Sequence, residues 1–118
     1  MARPRAFDES RVLAQARELF ASQGYNATSI DDLVRETGLL RGSIYKAFGS
    51  KRNLFEKLLA DVAHNFEKNS QNLDLLTVAL KDLASEDSQI RKLCIEIVGK
   101  NAPEFSTLLG LNLSLIHI

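Results

Sequence analysis

Residues 24–55 read GYNATSIDDLVRETGLLRGSIYKAFGSKRNLF. Gly38 and Gly49 punctuate the run, because glycine is the residue that ends a helix in a left-handed or otherwise open conformation. Between Gly24 and Gly38, Ile30, Leu33 and Val34 recur at helical spacing, which predicts a helix of about two and a half turns over 29–36. Thr28 followed three residues later by Asp31 resembles a capping box at its start. A second short helix is expected from about Arg41 to Phe48, with Leu40, Ile44 and Phe48 spaced i, i+4, i+8 on an inward side. Residues 38–52 also hold Arg41, Lys46, Lys51 and Arg52 with no acid among them.

Working outward, Asp8 is placed to N-cap a helix that starts after Phe7, with Phe7 packing on Val12. Val12, Leu13, Ala16, Leu19 and Phe20 form its apolar stripe, and Gly24 is its stop. On the other side Ser50 is placed to cap a longer fourth helix. Its broad apolar face is Leu54, Phe55, Leu58, Leu59, Val62, Ala63 and Phe66. EKNSQN reads as a turn or linker, Leu73 to Leu83 as a helix, and SEDS as the start of another that ends at Gly99. Asn101 and Pro103 are placed to open a last helix through Leu108, Leu109 and Leu111. Strand-like alternation is scarce and there is no internal repeat, so the fold class is all-α.

The 118 residues suffice for one domain, or for one small module plus part of another; 45% are apolar and 25% charged, as in ordinary globular proteins. Net charge is zero but unevenly distributed. Residues 1–52 hold nine Lys or Arg against six Asp or Glu, and residues 53–118 hold six against nine. A basic front and an acidic back fit a chain that meets a polyanion at one end. The single Cys94 forms no internal disulfide, sits on an apolar stripe as a small hydrophobe, and fits a reducing compartment. No secretory leader and no window of ~20 apolar residues is present, so a cytoplasmic protein is expected.

Two short helices joined by a tight glycine turn, the second one basic, describe a helix-turn-helix. In that motif the first helix crosses the phosphate backbone and the second enters the major groove. With Leu40, Ile44 and Phe48 inward, Arg41, Gly42, Ser43, Tyr45 and Lys46 are left on the outer arc. Small Gly42 and Ser43 let the helix sit deep. Arg41 has the fork for guanine O6 and N7, Lys46 reaches a guanine or a phosphate, and Tyr45 a phosphate or a thymine methyl. Lys51 and Thr28 stand at helix starts, where N–H groups favour anions.

The whole run resembles the DNA-binding signature of TetR-family transcriptional regulators. The likeness rests on Gly24-Tyr25, Thr28-Ser29-Ile30, Gly38, Gly42-Ser43-Ile44-Tyr45, Phe48, Ser50-Lys51 and Leu54-Phe55, and with the preceding helix covers about residues 7–66. The resemblance implies an all-helical homodimer that binds a double-stranded DNA operator and is a repressor relieved by a small-molecule effector. Residues 1–50 would be the helix-turn-helix domain with a basic N-terminal arm. Residues 51–118 would hold the connecting helix and part of an effector-binding and dimerisation domain, since only 52 residues follow Phe66. Carried over by position, Arg41, Gly42, Ser43, Tyr45 and Lys46 are recognition-helix positions, Thr28 and Lys51 are phosphate contacts, and Arg3 and Arg5 form the arm. The family commonly has Ser or Thr where Leu40 stands, and losing that cap removes a hydrogen bond worth ~1 kcal/mol.

Other chemistry is thinly represented. His64 and His117 have no partner at metal-ligand spacing. Asp31, Asp32 and Glu36 are explained by capping and solvation on the support helix. No nucleophile–base arrangement and no phosphate-cradling glycine loop is present, so neither an enzyme nor a cofactor is expected. The effector-binding residues are not legible. A different class of function, a helical protein-interaction module whose helix-turn-helix does not read DNA, remains the alternative.

Overall fold

A computed structural model describes residues 7–65 and 69–101. Its described residues form six helices and no strand: α1 Glu9–Gln23, α2 Ile30–Thr37, α3 Arg41–Phe48, α4 Lys51–His64, α5 Ser70–Asp82 and α6 Ser88–Lys100. Arg3, Arg5, Phe66 and the helix expected after Pro103 lie outside the described residues.

Five of the six described helix starts have a local side-chain cause. Asp8, Ser29, Ser50, Asn69 and Asp87 accept from backbone N–H groups in the first turns of α1, α2, α4, α5 and α6. The box at α2 is displaced by one residue from the sequence expectation. Ser29 is the cap and Asp32 reaches back to it, while Thr28 is buried beneath the helix start. Two further boundaries differ. Asn69 caps α5, so Ser70, Gln71 and Asn72 are its first turn rather than a linker. Gly99 lies inside α6, which continues to Lys100; one interior glycine costs only about 1 kcal/mol and does not stop a helix packed through Ile90, Cys94 and Ile97.

One apolar cluster runs from Ala16 to Ile97. α1 packs on α2 and α5, α4 packs on α6, and α3 sits against α2 and α4. At the centre, Phe20 of α1, Tyr25 of the α1–α2 turn and Phe55 of α4 form an aromatic trio. The Phe20–Tyr25 rings stack at 5.8 Å, and Phe55 meets them edge-on at 5.2 and 5.3 Å. Leu58, Leu59 and Val62 extend this core along α4 toward Leu75, Leu76 and Ala79 of α5 and Ile90, Cys94 and Ile97 of α6. Cys94 is buried as the sequence suggests, and burial pushes its thiol pKa up to about 11.

The α2–α3 turn carries the geometry on which the site rests. Gly38 adopts φ 78° and donates its N–H to Val34 O at 2.9 Å. The buried Thr37 hydroxyl donates to Leu33 O at 2.7 Å and accepts the Leu39 N–H at 3.2 Å, so the chain reverses around one side chain. No neighbouring atom lies within 4 Å of the position a Cβ on Gly38 would take, so its requirement is conformational rather than steric. Gly38→Ala is therefore expected to destabilise the fold by about 1–2 kcal/mol through left-handed strain. Gly42, exposed and equally open within α3, gives the opposite sign, with Gly42→Ala stabilising by about 0.5–1 kcal/mol. Denaturant unfolding of the two variants measures the contrast, and equal effects of one sign would refute this description of the turn.

Candidate nucleic-acid interface

Ile44, 2% exposed, anchors α3 to the core, and Phe48 is half-buried one turn on. This orients the remaining side chains. Arg41, Gly42, Tyr45 and Lys46 are exposed, and Ser43 is half-buried at their edge. Positions 41 and 45, 42 and 46, and 42 and 45 are helical neighbours, so the four form one continuous patch with glycine as its low point.

Leu40 does not face inward. It is 76% exposed, because as the cap residue of α3 it has extended backbone (φ −73°, ψ 151°) and stands outside the helical register. Leu39, half-buried, takes the inward position. No side chain caps α3, although the Leu40 carbonyl accepts from Ser43 N and Ile44 N at 3.0 and 3.2 Å. The outcome leaves an apolar side chain and open N–H groups at the tip of the exposed face.

The remaining cations are not a single face. Lys51 points into the protein. Its Nζ donates to Tyr25 O at 3.1 Å and Thr28 O at 2.9 Å, and lies 4.1 Å over the Tyr25 ring. Burial pulls its pKa below the ordinary lysine value, opposed by the charge of Asp82. Arg52 turns away from α3. Its Nε and Nη2 donate to Asp87 Oδ2 and Oδ1 at 2.7 and 2.9 Å, and its Nη1 meets Glu56. Thr28 is fully buried, its hydroxyl donating to Gly24 O at 2.6 Å and accepting from Gln23 at 3.3 Å. Lys51 and Thr28 thus sit where the α1–α2 turn meets the start of α4, with their polar groups engaged inside the protein.

Three acids, Asp31, Asp82 and Asp87, belong to this region through contacts with the helix-turn-helix segment and the start of α4. Asp31 of α2 pairs with Arg41 across the helix pair. Asp82, at the end of α5, accepts the Tyr25 and Asn26 N–H groups at 3.0 and 3.1 Å. Asp87 caps α6 while holding Arg52. Only the Asp87 cap had a local signal, in SEDS; the other contacts join residues far apart in sequence.

A cleft of about 390 Å³, lined by Arg17, Asp61, Val62, Asn65, Asn69, Gln71 and Asn72, opens beside the α4–α5 connection, away from the α3 patch. Among the described residues no group of His, Cys, Asp and Glu is arranged to hold a metal, and no helix is long and apolar enough to cross a membrane.

Two short helices at a left-handed glycine turn, the second anchored by one buried isoleucine and offering an exposed basic patch, define a helix-turn-helix domain. Residues 12–58 match the family model described as bacterial regulatory proteins, tetR family. Over this segment, which is less than half of its length, the chain is similar to the TetR family. It is similar to the uncharacterized HTH-type transcriptional regulator YezE of Bacillus subtilis, 44% identical over 55 residues, which are 47% of this chain and 28% of that protein. It is similar to the HTH-type transcriptional repressor BdcR of Escherichia coli, 26% identical over 104 residues, 88% of this chain and 48% of that one. The HTH-type transcriptional regulator QacR of Staphylococcus aureus is 37% identical over 51 residues, 43% of this chain and 27% of its own length. The chain thus spans less than half the length of each of these relatives. No solved structure gives a significant match.

The Arg52–Asp87 fork gives a pH signature. Chiefly through the Arg52 hydrogen bonds, the Asp87 carboxyl is held down at about 2. A depressed folded pKa contributes stability that is fully present above the unfolded value of about 3.9 and lost as pH falls through the folded one. Urea unfolding from pH 6 to pH 2 is expected to show wild type losing stability more steeply than Asp87→Asn below about pH 4. At neutral pH, Asp87→Ala should cost about 1–3 kcal/mol, from the cap and the charged hydrogen bonds together. Parallel pH curves would show that the fork does not form in solution.

Proposed function

We infer that the chain is a sequence-specific DNA-binding transcriptional regulator, with Arg41, Gly42, Ser43, Tyr45 and Lys46 of α3 as its reading face. The observation that carries this is the exposed patch on a helix fixed by Ile44, whose glycine at the low point permits close approach to a groove. Arg41 supplies the fork for a guanine, Lys46 a cation for guanine or phosphate, and Tyr45 a hydroxyl for phosphate. Thr28 and Lys51, placed by the resemblance at phosphates, act from beneath the surface in this conformation. They fix the start of α2 and the α1–α2 turn, and Lys51 adds positive potential there. Arg3 and Arg5 are assigned to a minor-groove arm.

Further parts of the reading rest on the family. The repressor named among the relatives favours repression. A single motif buries little surface, so a homodimer reading half-sites of a palindromic operator about one DNA turn (~34 Å) apart is the expected form. The division of labour is then residues 1–50 for DNA and 51–118 for dimerisation and a small-molecule effector, in the cytoplasm where the DNA lies. An effector acts by shifting α5 and α6, whose acids Asp82 and Asp87 grip the α1–α2 turn and α4. That requires it to bind the two arrangements with different affinity.

The exposed Leu40 at the tip of α3 favours one second reading, in which this face docks on a protein instead. A gel-shift titration with duplexes selected from a random pool separates the two. Lys46→Ala and Tyr45→Ala are each expected to weaken binding about tenfold or more with unchanged helical circular dichroism. Lys46→Ala should also lower the slope of log affinity against log salt by about one if it meets a phosphate. Undiminished binding by both variants would overturn the assignment, and the absence of any selected duplex would favour the protein-docking reading.

A further inference from the structure

Arg41 occupies the first position of α3, where the positive end of the helix dipole disfavours a cation. α3 has no acid in its first turn and no side-chain cap. The carboxylate that compensates comes from the other helix of the pair: Asp31, in the first turn of α2, accepts from Arg41 Nη2. Both side chains remain exposed, 51% for Arg41 and 64% for Asp31. An exposed ion pair of this kind adds little to stability. The α2 cap does not need Asp31 either, because Ser29 and Asp32 complete the box between them. The dipole of α2 favours an acid at Asp31, but neither that nor the cap requires its carboxylate to hold Arg41 beside the reading face.

We propose that Asp31 is a specificity-determining positioning residue that acts through Arg41. This rests on α3 being the DNA-reading helix. Two physical effects follow from its position. A guanidinium has five N–H donors in a planar fork, and a carboxylate holding one Nη2 hydrogen limits the rotation of the plane while leaving other donors for guanine O6 and N7. A fixed fork distinguishes guanine from other bases, whereas a freely turning one settles on any nearby phosphate. The same carboxylate also repels the phosphate backbone, which weakens sequence-independent binding. Both effects widen the gap between specific and non-specific DNA, and the second does so at some loss of total affinity. Negative charge at a DNA-facing surface is then a device for discrimination.

The test compares wild type, Asp31→Asn, Arg41→Ala and the double variant on random-pool duplexes and on one non-specific duplex at fixed salt. Thermal unfolding is run alongside, and Asp31→Asn is expected to stay folded because the Ser29–Asp32 box is intact. Asp31→Asn should bind the non-specific duplex several-fold more tightly. It should also lose about tenfold of base preference at one base pair in each half-site, the same pair whose preference Arg41→Ala abolishes. In the Arg41→Ala background the substitution should change base preference no further. Equal tightening on every sequence, with the preference at that pair retained, would reduce Asp31 to a bystander charge and overturn the proposal. So would an equal loss of preference with and without Arg41. If wild type selects no duplex at all, the DNA-reading assignment itself fails, and this inference with it.

Discussion

The Lys51 ammonium holds together the part of the structure on which everything else is mounted. It donates to the Tyr25 and Thr28 carbonyls and lies against the Tyr25 ring, while Asp82 takes the Tyr25 and Asn26 N–H groups. A six-residue connection, residues 24–29, with several backbone groups free of helical partners is thereby satisfied largely by one cation and one anion. Because α2 starts immediately after this turn, its direction, and through Gly38 that of α3, is set by where Lys51 and Asp82 hold residues 25–28. The aromatic trio of Phe20, Tyr25 and Phe55 supplies the apolar half of the same junction.

Adjacent residues on α4 thereby divide two tasks. Lys51 reaches forward to the turn, and Arg52 reaches back to Asp87 at the start of α6. α4 begins at the point where the helix-turn-helix and the α5–α6 pair are both gripped. With the apolar cluster continuous from Ala16 to Ile97, movement of α5 or α6 relative to α4 would be felt at the α1–α2 turn. The basic front half and acidic back half have a structural counterpart in the same contacts, since Asp82 and Asp87 both face front-half groups.

Much of this was legible in sequence, for local reasons. Gly38 and Gly49 bracket α3, and its observed span, Arg41–Phe48, is the one the spacing predicts. Ser50 and Asp8 cap as expected because a short oxygen-bearing side chain before a periodic segment has few other uses. Errors arose where two neighbours offered the same chemistry. Thr28 and Ser29 both carry hydroxyls, and burial decided that Thr28 supports while Ser29 caps. Leu39 and Leu40 are both leucine, and the extended backbone at the cap decided which one turned inward. The Arg41–Asp31 and Arg52–Asp87 pairs and the Asp82 contacts with the Tyr25 and Asn26 N–H groups could not be read, because they depend on tertiary packing between segments up to 57 positions apart. A count of cations in residues 38–52 therefore overstated the exposed charge, since Lys51 and Arg52 are drawn away from the α3 patch.

The central claim is that the outer face of α3 meets DNA while α5 and α6 hold the domain from behind. Amide chemical-shift mapping of the isotope-labelled chain with a selected duplex tests it most directly. The expected result is that the largest early shifts fall on Arg41–Lys46 and the open N–H groups at the start of α3, with small changes along α5 and α6. Saturable shifts centred on α5, α6 or the α4–α5 cleft, with α3 unperturbed, would contradict it.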